Sequence, residues 1–209
     1  MHIENNTNTP LKNLILKWQD QTGQSTYFGV QAVKNPGDAW IYQEIVTAMQ
    51  PDVIIEVGVK HGGGSLMMAH LCDLMGKGRV IGVDITLGLV HQKVFDHPRI
   101  TLLEGDACAM FDQVKSMIGP EDRVLIVEDS AHSYQNTINV LNTYSPLIRV
   151  GDYFIVEDSI NYEGVFPNQD FGVANAITEF VNQGNFVSDR TKEPYVITWN
   201  PRGFLKRIK

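Results

Sequence analysis

Five times along this 209-residue chain, a short apolar run of strand length ends in acidic residues and gives way to a stretch with helical spacing. The runs are Val53–Val59, Arg79–Ile85, Ile100–Leu103 leading into Glu104-Gly105-Asp106, Arg123–Asp129 and Asp152–Asp158. Continuous β-branched-rich runs predict strands buried on both faces. The intervening helical segments are Ser65–Met75, Met110–Ile118 and Ser133–Leu147, the last with Ile138, Leu141, Tyr144 and Leu147 at every third position. Strand alternating with helix means parallel pairing through right-handed crossovers. The expected fold class is α/β, a doubly wound, mostly parallel seven-stranded sheet. After the fifth run the rhythm changes. Val173–Val181 reads as a helix, and Tyr195–Trp199 and Phe204–Ile208 flank Asn200-Pro201-Arg202-Gly203 as an antiparallel C-terminal hairpin on the sheet edge. Upstream, Ala39–Met49 carries a stripe of Trp40, Ile41, Ile45, Val46 and Met49, and Leu11–Trp18 carries another. With no internal repeat or low-complexity linker, residues 1–209 read as one domain, with 1–50 as an N-terminal helical flank or lid.

Composition narrows the classes. Hydrophobic residues at 43% and charged residues at 20% are globular values. Two cysteines, Cys72 and Cys108, exclude a disulfide scaffold and read as small apolar residues. A formal net charge of -7 argues against nucleic acid or an anionic membrane as partner. No apolar run approaches the roughly 18 residues of a membrane span, and the polar Met1–Pro10 segment lacks a signal layout. The expectation is a soluble, cytoplasmic protein. The Leu11–Trp18 stripe leaves a homo-oligomer open.

The segment Glu56-Val57-Gly58-Val59-Lys60-His61-Gly62-Gly63-Gly64-Ser65 lies where the first run turns into a helix. Glycines there let backbone approach a ligand, and a helix N-terminus offers unpaired N–H groups. The spacing is Gly-x-x-x-Gly-Gly-Gly and not the Gly-x-Gly-x-x-Gly of dinucleotide folds, which favours a small zwitterion joined to a nucleoside over a pyrophosphate. Glu56, Gly58, His61, Gly62, Gly63 and Ser65 are therefore cofactor-binding candidates. Asp84 closes the second run where doubly wound folds place a carboxylate on a ribose diol, or it caps nearby N–H groups. Asp106 could accept from an adenine amino group or cap the next helix.

Glu128-Asp129-Ser130-Ala131-His132 and Glu157-Asp158 end the fourth and fifth runs, so carboxylates and an imidazole gather at the sheet edge where open α/β sheets bind ligands. Carboxylates so close need a cation or shared protons, unless Asp129 and Asp158 only cap helices and Glu128 and Glu157 are solvated. Oxygen ligands favour magnesium, manganese or calcium over zinc, with Mg2+ or Mn2+ the expected ion. Asp129, Glu157 and Asp158 are the candidate metal ligands, with Glu128 a second candidate beside Asp129, and Asp129 also faces the cofactor. His132, three residues past Asp129, is the candidate general base. His2, His70, His91 and His97 have no acidic or glycine-rich context, and Trp40, Trp199 and the other aromatics read as core.

Through the Glu-x-Gly-x-x-x-Gly-Gly loop, the acid after the second run and the Gly-Asp after the third, the chain resembles class I S-adenosylmethionine-dependent methyltransferases, whose fold is Rossmann-like. Glu56–Ser65, Asp129-Ser-x-His132 and Asp152-Tyr-Phe-Ile-Val-Glu-Asp158 more specifically resemble the cephalosporin hydroxylase family and its relatives, the rhamnosyl and macrolide-sugar O-methyltransferases. The resemblance runs from Phe28 to Ile160 and includes Lys34-Asn-Pro-x-Asp38. It implies S-adenosylmethionine held at Glu56, Gly58, Asp84 and Asp106, magnesium held by Asp129, Glu157 and Asp158, and His132 as base. The expected function is Mg-dependent transfer of a methyl group to a hydroxyl of a small polyhydroxylated acceptor, a sugar or glycosylated natural product, with the loop around Asn161–Phe171 shaping the acceptor pocket. The alternatives are a non-catalytic or accessory S-adenosylmethionine-binding protein and an NAD-dependent oxidoreductase, the latter disfavoured by the glycine spacing.

Overall fold

A computed structural model describes residues 8–162 and 172–209. The central sheet holds seven strands: β3 (Val53–Val57), β4 (Arg79–Asp84), β5 (Ile100–Glu104), β6 (Val124–Glu128), β7 (Tyr153–Val156), β8 (Phe186–Ser188) and β9 (Phe204–Arg207). Their spatial order is β5-β4-β3-β6-β7-β9-β8, parallel from β5 to β7, with β9 antiparallel to both neighbours. A small antiparallel ribbon, β1 (Thr26–Tyr27) with β2 (Val30–Gln31), precedes it. The helices are α1 (Leu11–Thr22), α2 (Pro36–Met49), α3 (Gly63–Met75), α4 (Gln92–Phe95), α5 (Phe111–Ser116), α6 (Tyr134–Tyr144) and α7 (Gly172–Asn182).

The continuous apolar runs fill both faces of the sheet by simple alternation. Val53, Ile55, Val57, Ile126, Phe154 and Val156 face one layer with Ile138, Leu141 and Tyr144 of α6 and Val173, Ile177 and Phe180 of α7. Ile54, Leu125, Val127 and Ile155 face the other, with Ile41, Ile45 and Met49 of α2 and Met68 and Cys72 of α3. Edge strand β5 is covered only in part. Helix limits follow local chemistry: Asn35 caps α2 by accepting from Gly37 N at 2.9 Å with Pro36 behind it, Ser133 caps α6 by accepting from Asn136 N at 3.3 Å, and Gly76 ends α3 in the left-handed conformation.

Two expectations need correction. On the side away from β7, the antiparallel partner of β9 is Phe186–Ser188 and not Tyr195–Trp199. That segment instead lies against the start of α2, where Asp38 accepts from Trp199 N at 2.8 Å and Thr198 Oγ1 at 2.6 Å, and Asn35 Nδ2 donates to Ile197 O. Side chains therefore satisfy backbone groups that a strand partner would otherwise satisfy. Trp40, read as core, is 59% exposed, because the buried face of α2 is Ile41, Tyr42, Ile45, Val46 and Met49. Trp199 is buried beside Ile15 and Ile160. Most of the Asn161–Phe171 loop lies outside the described residues.

Candidate active site

Strand order reverses between β3 and β6, and the C-terminal ends of the strands around that point open onto a cavity of about 590 Å³. This is the size of a small-molecule site at the place where open α/β sheets put one. Its walls include Lys34, Glu56, Gly58, His61, Gly64, Asp84, Asp106, Asp129, His132 and Asp158.

The glycine loop is shaped by close approaches. Gly58 has φ 92°, and a Cβ there would overlap the Asp129 carbonyl, so the exits of β3 and β6 can cross only with glycine at this position. Gly62 and Gly63 lie off the cavity wall, packed on Val94 and on Gln31 and Ala32. Gly64 makes room for the Glu56 carboxylate and for the Lys34 stem, whose Cε would stand 2.9 Å from an added Cβ. Ser65 is also off the wall, its hydroxyl donating to Glu56 Oε2. Gly62 gives α3 no side-chain cap, which leaves the positive end of that helix for an anionic group. His61 lines the cavity, with Nδ1 3.4 Å from Leu89 O.

The capping reading of Asp84 and Asp106 is what the hydrogen bonds show, and both residues also line the cavity. Asp84 Oδ2 accepts from Val59 N at 2.7 Å and Lys60 N at 2.8 Å, and Oδ1 accepts from Thr86 N at 3.2 Å, so this carboxylate braces the loop while facing the cavity. A carboxylate oxygen accepts two bonds, which leaves a lone pair on Oδ1 for a ribose hydroxyl. Asp106 Oδ1 accepts from Ala109 N at 2.9 Å and leaves Oδ2 for an exocyclic amine.

The acidic cluster divides into two halves that meet at Asp129. On one side His132 Nε2 lies 3.2 Å from Asp158 Oδ2 and 3.8 Å from Asp129 Oδ1, and ligand atoms of these three residues lie within 4.8 Å of one another. His132 and Asp158 both adopt left-handed backbone, with φ 50° and 59°. Such conformations cost about 1–3 kcal/mol each and persist where the surroundings hold them. Burial, reinforced by the neighbouring Asp129 charge, pushes the Asp158 carboxyl up, while His132 opposes the shift. On the other side Glu157 bonds to the Lys34 ammonium, which also donates to Asp129 Oδ2 at 2.6 Å and lies 3.7 Å from Glu56 Oε1. Burial alone would lower the Lys34 pKa, but the charges of Asp129, Glu157 and Glu56 overcome it and raise it. Glu56 is pushed to about 7 by burial, against the pull of Lys34 and Ser65.

Glu157 thus sits on the lysine and off the cavity wall, while Asp129 and Asp158 face the cavity with His132. Of Glu128 and Asp129, it is Asp129 that lines the cavity. Glu128 is fully buried below the wall, where its Oε1 accepts from Ser130 Oγ at 2.5 Å and Asn136 Nδ2 at 3.3 Å. Lys34 is a cavity-wall side chain that sequence reasoning passed over, although it opens the Lys-Asn-Pro-x-Asp motif. His70 and His97, read as lacking acidic context, meet Asp73, but Arg99 Nε already donates to that carboxylate at 2.6 Å.

The donor chemistry of Asp129, Asp158 and His132 fits a hard divalent cation, since the carboxylates crowd together in a partly buried site and Lys34 neutralises only the far half. The cavity and the uncapped end of α3 fit a nucleoside carrying an amino-acid carboxylate.

Known proteins resemble this chain in sequence and in fold. The rhamnosyl O-methyltransferase/CmcI family model matches residues 19–208. The rhamnosyl O-methyltransferase of Mycobacterium tuberculosis is 29% identical over 193 residues, covering 88% of this chain and 78% of that protein, and that of Mycobacterium leprae is 29% identical over 195 residues, covering 88% and 83%. The apo structure of CmcI-N160 superposes with a TM-score of 0.72 at 27% identity over 90% of this chain and 77% of that one. CmcI-D160 with Mg and SAM superposes with a TM-score of 0.69 at 26% identity over 90% and 78%. The chain belongs to the rhamnosyl O-methyltransferase/CmcI family and is a class I, S-adenosylmethionine-dependent O-methyltransferase.

Proposed function

We propose that this enzyme moves the methyl group of S-adenosylmethionine to a hydroxyl of a small polyhydroxylated acceptor, a sugar or glycosylated natural product, in a reaction that requires Mg2+ or Mn2+. The observation that carries the reading is His132 Nε2 at 3.2 Å from Asp158 and 3.8 Å from Asp129 on the wall of the glycine-loop cavity. It brings an imidazole and two carboxylates together beside a cavity of small-molecule size, and this supports the reading. The cofactor's sulfonium supplies an electrophilic methyl group. Asp129 and Asp158 would hold the cation, with Glu157 as the further carboxylate beside them. Bound there, a divalent cation would supply positive charge that makes an acceptor hydroxyl more acidic.

His132 takes the hydroxyl proton, and the resulting imidazolium is stabilised by the Asp158 carboxylate 3.2 Å from its ring. The sulfur–carbon bond breaks as the carbon–oxygen bond forms, leaving a methyl ether and a neutral thioether. Gly58, Gly64 and the open end of α3 bring backbone close to the cofactor, and Asp84 and Asp106 accept from its ribose and adenine. The protein contributes positioning and a fixed field.

The test is thermal unfolding with S-adenosylmethionine and, separately, NAD, each with Mg2+ or with EDTA, followed by mass analysis of sugar and glycoside acceptors. A cofactor at 100 times its dissociation constant should stabilise by about 2.7 kcal/mol. S-adenosylmethionine should shift the transition, NAD should not, and methylated acceptor should form only with divalent metal. Full turnover in EDTA would remove the metal from the reaction, and absence of any S-adenosylmethionine shift would overturn the cofactor assignment. His132→Ala should slow turnover about 10²- to 10⁴-fold with cofactor binding intact.

A further inference from the structure

Lys34 is 7% exposed, and its position is built and not incidental. Its backbone N–H donates to Ser25 Oγ at 3.2 Å, the same hydroxyl donates back to Lys34 O at 3.3 Å, and Asn35 beside it caps α2. Gly64 lacks the Cβ that would stand 2.9 Å from Lys34 Cε, so the glycine loop is cut back where the lysine stem passes. At the end of that stem one ammonium serves three carboxylates from three adjacent strand ends, bonding Glu157 and Asp129 and lying 3.7 Å from Glu56. Asp129 is the shared member, with Oδ2 on Lys34 and Oδ1 facing His132.

Resting on the reading that a divalent cation binds at Asp129 and its neighbours, we propose that Lys34 is a resident counter-cation that competes with the metal for Asp129 and Glu157. A buried carboxylate cluster of this density needs either bound protons or positive charge, and Lys34 supplies the charge. A lysine ammonium is a compact point charge able to take the place of an ion. Tethered through α2 and Ser25, it keeps the strand ends together before metal arrives, and the metal must then share or displace it. An ammonium so displaced remains opposite Glu56 and is not left unpaired in the interior. Metal affinity is therefore set below what the carboxylates alone would give, and metal entry is coupled to a movement of charge on the cavity wall.

The experiment is Mn2+ binding to the whole purified chain, read by the free-ion EPR signal without cofactor or acceptor, for the native protein, Lys34→Met and Lys34→Gln. The expected result is at least about tenfold tighter Mn2+ binding in both variants, with a lower melting temperature in EDTA that Mn2+ restores. Equal or weaker Mn2+ binding in the variants would overturn the proposal. If the native protein takes up no Mn2+, the metal reading fails; gain of binding in the variants would still establish Lys34 as the resident cation, and no binding in them would remove it. Variants that fold only with Mn2+ support the proposal. Variants that fold under neither condition overturn it, since the ion would then be no substitute for the ammonium.

Discussion

Lys34 lies 95 residues from Asp129 and 123 from Glu157, a separation across which no local pattern pairs a lysine with two acids. The acids themselves were legible because each ends an apolar run, which puts it at the C-terminal edge of a strand. Asp38 shows how burial acts at the same scale. Burial lifts its carboxyl to about 6, against the donors Thr198 and Trp199 N. A carboxyl whose folded pKa exceeds its unfolded value holds its proton better in the native state. This contribution to stability is present below the unfolded value near 4 and is lost as pH rises through about 6. Asp38→Asn keeps an acceptor for Trp199 N–H without the buried charge. Its melting temperature relative to the native protein should rise between pH 4 and pH 7, and a gap independent of pH would refute the assignment. Gly58→Ala should lose S-adenosylmethionine binding or the fold itself, since its Cβ would overlap the Asp129 carbonyl at a left-handed φ.

Among elements, those with an internal period were legible and those made by side-chain partners were not. The strands β3, β4, β6 and β7 follow from continuous apolar runs, and α3, α6 and α7 from helical spacing. The two-residue strands β1 and β2, the four-residue α4 and the three-residue β8 are too short to carry a period. Tyr195–Trp199 is aromatic and β-branched like a strand, yet Asp38 and Asn35 hold its backbone. Trp40 falls on the outer face of α2 because Ile41 and Ile45 point inward. The loop from Asp129 to His132 is tied down by the Ser133 cap of α6. Ser133→Ala should cost about 1 kcal/mol in urea unfolding. A cost near zero would show that the loop is held by other bonds alone.

For the whole molecule, the sheet order sends the chain's last strand between β7 and β8, so the Phe204–Arg207 segment closes the fold long after the site residues have been laid down. Removal of residues 203–209 should abolish the cooperative unfolding transition and not merely trim an edge. Retention of a sharp calorimetric transition would contradict this. The sequence by itself determined the alternating α/β architecture, the glycine loop and the acids that end the strands, because period and residue type act over a few neighbours. Only tertiary structure decided that Asp129 divides its two oxygens between Lys34 and His132, that Gly62 and Gly63 serve packing while Gly58 and Gly64 face the cavity, and that the last antiparallel partner is Phe186–Ser188. These outcomes depend on which buried charges and backbone groups find partners across the sheet, a condition that long-range packing satisfies and local spacing does not contain.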